Sequence, residues 1–550
     1  MLKLWEVFRF EAVYRLRRPT TWAYLVALAG LLVLLARDVL LRAARESGTV
    51  HADAPLLVAT VTVLTGLLAL LPVAEIFGDA AARDVRTRLA PLLHAAPVPE
   101  PVLLLGRFLA AFAVSALLFA VVPAGLALLQ ATTAEPELYG RFRPAVYLHP
   151  YLVFLLPNLF AGGALVFAAA ARSGRTLAGY GAAAGLFLFS VLNEEALAET
   201  MDHGVLAAVL DPIGFTAISE IAAYWTPFER DEQLLALAGP LLWNRLLWSG
   251  LGAAALAVVV ARHRFAVREP RRRRRETRRE DAAGTVEAAL SRPAAAVVVP
   301  RAPRAFDRAA RLGQTLAFAR LSFAAVIGNR WALLVAAGTV ALTFAAGWNA
   351  GLVFDTPSLP VTSVVVPEVI GHSAFFVYLL IGLWVGQLVW LERDARADEL
   401  TDAAPWPPWV ALAGKLLALV AGLALLRATF FAGVVLLQAA QGHFDFAPGL
   451  ALTMLFGLQL PDDLLVAMLA LLVHVAVGHK AIGHLVYLAA LVLSRNLIEG
   501  NVGFEHHLLG YSSAPAWAYS EMSGFEPFLA PYLWFEGYWA AWALLFALAA

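Results

Sequence analysis

The chain has 550 residues, of which 61% are hydrophobic and only 15% charged, whereas a soluble protein carries roughly 25% charge. A water-soluble fold cannot hide that much apolar surface, because buried fraction rises only slowly with size; the composition excludes an ordinary soluble enzyme and makes lipid the solvent for much of the chain. The net charge is zero, and with no cysteine disulfides, thiolate metal sites and cysteine nucleophiles are excluded.

Residues 1–19 carry Lys3, Glu6, Arg9, Glu11, Arg15, Arg17 and Arg18 without a continuous apolar stretch, which is not the pattern of a signal peptide. Leu4, Trp5, Phe8, Ala12, Val13 and Leu16 recur at three- and four-residue spacing. That spacing predicts an amphipathic helix in the membrane interface, with its arginines toward anionic headgroups; a plain lead into the first span is the simpler alternative.

A helix crossing the hydrocarbon core needs roughly 20 apolar residues. Such stretches are predicted near 20–38, 54–77, 102–130, 149–171, 177–193 and 239–261, then near 331–348, 372–391, 409–439, 461–478, 480–495 and 536–550. The third and ninth exceed a simple crossing, which implies tilt or an extension beyond the bilayer. The expected fold is all-α: a polytopic membrane protein with about twelve transmembrane helices. Residues 1–261 form a first half and 313–550 a second, joined by a basic linker at 262–312.

Lysine and arginine concentrate in the segments that a cytosolic amino terminus would place inside: about thirty basic residues there against six or seven outside, the bias that sets topology. The linker holds Arg271–Arg275, Arg278 and Arg279. Beside the end of a span, such a run is explained by topology and contact with membrane lipids; no nucleic-acid partner is expected.

The two halves share an ordered pattern. After the second span stands ARDVRTRLAPLLHAAPVPEPVLLLGRFLA, and after the eighth ERDARADELTDAAPWPPWVALAGKLLA. Arg83-Asp84 with Arg86 corresponds to Arg393-Asp394 with Arg396, Ala96-Pro97 to Ala404-Pro405, and Gly106-Arg107 to Gly414-Lys415, the second copy being two residues shorter. Trp22 and Trp331 open the first and seventh spans. Long outside segments, 194–238 and 496–534, precede the sixth and twelfth. Both copies have one orientation, so the halves are parallel repeats, a transporter architecture. Charges at i, i+3 keep a short helix out of lipid, and the prolines stop it and return the chain to the bilayer. The result is a rigid polar knuckle joined to two spans, either a partner's docking point or a loop that only sets topology.

These residues resemble the type-two ABC transporter permeases, which have an interfacial elbow helix before each half and a coupling helix after the second span. The resemblance spans most of the chain. It implies that Arg83, Asp84, Arg86, Leu92, Leu93, Ala96, Pro97, Gly106 and Arg107, and in the second copy Glu392, Arg393, Asp394, Arg396, Glu399, Ala404, Pro405, Gly414 and Lys415, couple the spans to a separate ABC ATPase subunit. It also implies that ATP and magnesium sit on that partner, and that the membrane is the bacterial cytoplasmic one, with the amino terminus in the cytosol. LDPIGFTAISEIAAYWTPFERDEQLLALAGPLLWNRLLW, LFGLQLPDDLL and GFEHHLLGYSSAPAWAYSEMSGF look like bacterial proteins in which such a permease precedes a zinc aminopeptidase. This chain lacks their H-E-x-x-H motif, and its last apolar stretch is short; the natural chain is expected to continue past Ala550.

No G-x-x-x-x-G-K-S/T is present, so no phosphate cradle of the usual kind is expected in this chain. Glu505-His506-His507 and the His479/His484 pair, five residues apart, lack zinc-ligand spacing, and no catalytic constellation stands out. Ionisable residues within apolar stretches are costly and so informative. They are Glu75, Arg245, Arg427, Asp462, Asp463 and His474. They read either as a polar route between the halves, or as snorkelling and helix-end residues, with Arg245 paired to an acid of the outside loop. Two other functions fit part of the pattern. One is a proton-coupled secondary carrier, since GDAAARDVR is similar to the acidic-basic loop of such carriers. The other is a membrane anchor for a peptidase beyond residue 550.

Overall fold

The computed structural model describes residues 2–68, 70–87, 89, 95, 97–194, 203–262, 307–327, 330–351, 358–498 and 506–549. Most of the predicted linker, with its arginine run, lies outside the described residues, as do Arg88, Leu92, Leu93, Ala96 and Glu505. Among the described residues the chain is helical, with one isolated bridge between Ser520 and Gly524.

The first half contains α1 (Leu2–Leu16), α2 (Pro19–Leu35), α3 (Pro55–Leu68), α4 (Leu70–Thr87), α5 (Glu100–Phe119), α6 (Leu156–Ser173), α7 (Thr176–Leu192) and α8 (Gly239–Arg262). The second contains α9 (Arg308–Ile327), α10 (Arg330–Trp348), α11 (Thr362–Val389), α12 (Pro408–Ala440), α13 (Leu460–Val477), α14 (Lys480–Ile498) and α15 (Glu526–Ala549). Among the described residues, seven helical stretches are long and apolar enough to cross a membrane, and an eighth arises if α3 and α4 are one span bent by 46°. Pro72, just inside α4, supplies the break, since its ring clashes with the preceding turn and it donates no backbone hydrogen bond. The apolar helices at Thr176–Leu192, Leu334–Trp348 and Ile482–Ser494 are shorter than the crossing length.

Several boundaries differ from the sequence expectation; α11, predicted from 372, begins ten residues earlier at Thr362. The stretches predicted at 149–171 and 461–478 begin earlier, at Pro144 and Pro448, because wide π-turns at Tyr151–Leu155 and Thr453–Gln459 carry the helix into α6 and α13. A π-turn relieves the crowding that Pro157 and Pro461 impose on the preceding carbonyls. The last helix starts at Glu526, ten residues before the predicted span, because Phe528, Leu529, Tyr532 and Leu533 continue its apolar surface. Both α6 and α13 end on a left-handed glycine, Gly174 at φ 69° and Gly478 at φ 64°, a conformation glycine adopts without a Cβ penalty. The chain then reverses directly into α7 and α14.

Helix α1 packs on α5, and α9 packs on α12. Helix α6 packs on α4, α7 and α8, while α13 packs on α11, α14 and α15. One large apolar core is centred in each half, the first taking in Leu485 of α14 and the second Phe187 of α7. The halves meet where α2 touches α14 and α7 touches α10, with Phe187 against Phe375 at 5.4 Å between ring centroids.

The amino-terminal helix departs from the amphipathic expectation. Its packed stripe includes the buried charges Glu11 and Arg15, whereas Leu2, Trp5, Phe10 and Val13 are exposed. The side facing the protein is held by ion pairs, and part of the apolar set points outward, where lipid would cover it.

Candidate functional site: a cavity between the halves

A cavity of about 1100 Å³ lies between the halves. Its walls come from α2, α4 and α7 on one side and from α10, α11 and α14 on the other. One end is polar: Arg18, Arg86, Arg175, Asp394, His479 and Lys480 line it. Arg86, Arg175 and Asp394 are exposed there, so this end is the mouth. The other end is apolar, formed by Ala184, Leu188, Leu334, Val335, Phe376 and Leu380. Beyond it, Leu67, Leu70, Phe187 and Leu379 close the space around a small void of about 30 Å³.

The polar wall of the first half is an ion-pair network built on Asp79, whose side chain is 1% exposed. Arg18 Nη1 donates to Asp79 Oδ2 at 3.3 Å, Arg15 Nη2 lies 3.6 Å from the same oxygen and Arg83 Nη1 3.8 Å, and Arg86 donates to Oδ1. Arg83 also donates to Glu11. Arg107 joins α1 to the end of α4: its Nε donates to Glu11 Oε1 at 3.1 Å and its Nη2 to Asp84 Oδ1 at 2.9 Å. Burial pushes the Arg15 guanidinium below its ordinary range against the opposing pull of Asp79 and Glu11. Asp79, Arg83 and Arg86 fall on one helix face at i, i+4 and i+7, a signal present in the sequence. Glu11 and Arg15 share that i, i+4 spacing on α1, but the spacing does not say that both are buried against α4 and α5.

The second half answers with fewer charges. Lys415 Nζ donates to Glu392 Oε2 at 2.7 Å and Lys480 Nζ to Asp394 Oδ2 at 2.6 Å. Glu392 and Lys415 are 23 residues apart, as are Asp84 and Arg107. Pro97 and Pro405 stand at the same sequence distance from Asp84 and Glu392, respectively. The glycines before these cations are where the amino-terminal helices cross: a Cβ on Gly106 would lie 2.7 Å from Val7 Cγ1, and one on Gly414 2.9 Å from the Thr315 carbonyl oxygen.

The polar segments differ from single helices. In the first half the charged residues occupy the last turns of α4, with Leu89 and Pro97 exposed beyond them. In the second, two short helical turns, Leu391–Ala395 and Asp398–Asp402, meet at Arg396, which takes φ 55°. The guanidinium of Arg393 lies over the Trp390 ring at 4.9 Å, and Leu400 at the tip is 77% exposed. Arg86 and Asp394, one from each segment, border the same mouth.

The intramembrane candidates divide among three places. Glu75 lines the cavity and accepts a hydrogen bond from the Tyr180 hydroxyl at 2.9 Å. Arg245 does not pair with an acid of the segment expected outside, 194–238: its Nη1 donates to Asn158 Oδ1 at 2.6 Å and its Nη2 to the Ile213 carbonyl at 3.3 Å. That segment's Asp211 is instead occupied by Ser190 and the backbone of Ile213 and Thr216. Arg427 forms a two-pronged pair with Asp463, both buried. Neighbouring Asp462 accepts from Tyr378 at 3.1 Å and Gln459 at 3.2 Å. His474 is buried against His484 at 4.6 Å between rings, and His484 reaches the cavity wall and Tyr180. Among the described residues no group of three or more potential metal ligands comes together.

Sequence reasoning missed Arg15, Arg18, Tyr180, Trp384 and Gln387 as cavity residues, because an apolar run does not reveal which of its positions face a partner helix. No known protein-family model matches the sequence, and no curated protein gives a significant match.

Proposed function

We propose that the chain is the membrane permease of an ATP-driven exporter of the type-two ABC kind, energised by a separate ATPase subunit that carries the ATP and magnesium. The observation that carries this reading is that two polar, proline-ended segments, one per half, flank the mouth of a cavity formed between those halves. Each segment is tied by an ion pair to the start of the next long helix, Asp84 to Arg107 and Glu392 to Lys415. A partner that pushes on the tips would move α4 with α5, and α11 with α12, and so widen or close the mouth. About twelve spans in two parallel halves, with the mouth on the cytosolic side of a bacterial membrane, complete the proposal. The paired contacts of α1 with α5 and α9 with α12, and the matched π-turns before Pro157 and Pro461, support the repeat.

The test is copurification from native membranes in mild detergent. A Walker-motif ATPase is expected to copurify with the parent chain, and Leu400→Asp, at an exposed tip, is expected to weaken that association at least tenfold without changing the melting temperature. Transport driven by a proton gradient without ATP would contradict the reading and favour a secondary carrier.

A further inference from the structure

The cavity lining is electrostatically unbalanced. Five basic side chains, Arg15, Arg18, Arg86, Arg175 and Lys480, face three carboxylates, Glu75, Asp79 and Asp394. Asp394 is engaged by Lys480. Asp79 serves four guanidiniums at once, those of Arg15, Arg18, Arg83 and Arg86. Arg15 is 4% exposed, and neither its Nε nor its Nη2 donates a hydrogen bond. Buried donors without acceptors are costly, and a concave surface with surplus cations concentrates anions. A guanidinium fork matches two oxygens of a phosphate or carboxylate.

The opposite end has different chemistry. Leu188, Phe376 and Leu380 present hydrocarbon surface continuous with the same space. The volume of about 1100 Å³ exceeds the roughly 300–1,000 Å³ of pockets for drug-sized ligands. An inorganic anion would leave the apolar end wet, and a cationic amphiphile would set like charges against the arginines.

We infer that the cavity binds an amphiphile with an anionic headgroup, a phosphate or carboxylate held at Arg15, Arg18 and Arg86 with its hydrocarbon chain along Leu188, Phe376 and Leu380. This rests on reading the cavity as the transport path and names the substrate class for it. The headgroup belongs either to a membrane lipid or to a soluble amphiphile, and the chemistry is common to both.

Titration calorimetry on the full chain in a neutral detergent tests the inference, with decyl phosphate, decyltrimethylammonium and inorganic phosphate as probes. Decyl phosphate is expected to bind at least tenfold more tightly than either of the others. Its affinity is expected to fall at least tenfold in the Arg18→Gln/Arg86→Gln double variant. If that variant misfolds, Arg18→Gln alone, which leaves three cations on Asp79, is expected to lose several-fold. Competition by phosphatidylglycerol added to the micelles assigns the headgroup to a lipid, and its absence assigns it to a soluble amphiphile; both support the inference. Equal affinity for decyltrimethylammonium or inorganic phosphate, or unchanged affinity in a folded arginine variant, overturns it. None of these results depends on an ATPase, so loss of copurification would remove the proposed function while leaving the ligand class standing, and the converse holds.

Discussion

Arg427 and Asp463 meet between α12 and α13 in a two-pronged ion pair, Nε to Oδ2 at 2.6 Å and Nη2 to Oδ1 at 2.6 Å, with side chains 2% and 0% exposed. Parallel bonds of this kind add geometric specificity to the charge attraction. Removing one partner strands the other charge, which costs about 3–5 kcal/mol when the site is buried. Arg427→Leu and Asp463→Leu are each expected to lower the melting temperature in detergent sharply, and the double variant to recover most of the loss. A double variant as unstable as the sum of the singles would mean that the residues act independently.

The glycine crossings predict an asymmetry between the halves. A Cβ at Gly414 meets Phe318 Cβ at 2.5 Å and the backbone of Thr315 and Ala319 at 2.9 and 3.0 Å, none of which can rotate away. At Gly106 the nearest atom is the Val7 Cγ1, a side-chain terminus, although Val7 Cβ also lies at 2.9 Å. Overpacking costs about 1–3 kcal/mol, partly offset by alanine's helix preference of up to about 1 kcal/mol over glycine. Gly414→Ala is therefore expected to destabilise more than Gly106→Ala in thermal melts. The chain has no cysteine, so a single cysteine placed on α9 would report the displaced helix by its labelling rate.

Asp79 predicts the behaviour of α1. Asp79→Asn removes the one carboxylate shared by Arg15, Arg18, Arg83 and Arg86 and leaves like charges in near contact, a loss of about 3–5 kcal/mol by the same buried-pair argument. A cysteine at Phe8 is expected to label at least several-fold faster in this background. Arg83→Glu is expected to do the same, because Arg83 is bound to Glu11 inside the protein, so its reversal reports folding in addition to any docking.

What the sequence made legible follows from what its periodicity can carry. The apolar stretches, the matched Pro97 and Pro405, and the Gly106-Arg107 and Gly414-Lys415 steps were readable because breaker residues and span lengths are local properties. The partners of the charges were not. Arg245 was expected to pair with an acid of the 194–238 segment, yet Asn158 and backbone carbonyls took the arginine, and Ser190 and backbone amides took that segment's Asp211. Arg427 was singled out, but its partner, 36 residues away, depended on how α12 crosses α13. The cavity was least legible of all, since its wall combines residues such as Tyr180 and Trp384 from different halves.

The short helix Pro227–Glu232 carries a pH-dependent cap. The backbone N–H and hydroxyl of Thr226 both donate to Glu229, at 2.8 and 2.9 Å, and these bonds hold its carboxyl below the usual range. A carboxylate with a depressed folded-state pKa contributes stability above its unfolded value, about 4.3, and loses it as pH falls through the folded value. Hydrogen-exchange protection of the Glu229 and Arg230 amides is expected to be flat from pH 7 to about pH 5 and to drop below about pH 4. Glu229→Gln is expected to abolish that dependence.

Photo-crosslinking from Leu89 and Leu400, an exposed apolar residue in each of the two polar segments, tests the central claim most directly. With a photoreactive residue at each position in turn, in native membranes, both sites are expected to yield an adduct with the same nucleotide-binding polypeptide from the cytosolic side. Adducts from opposite faces of the membrane, or from neither site while the chain remains folded, would contradict the account.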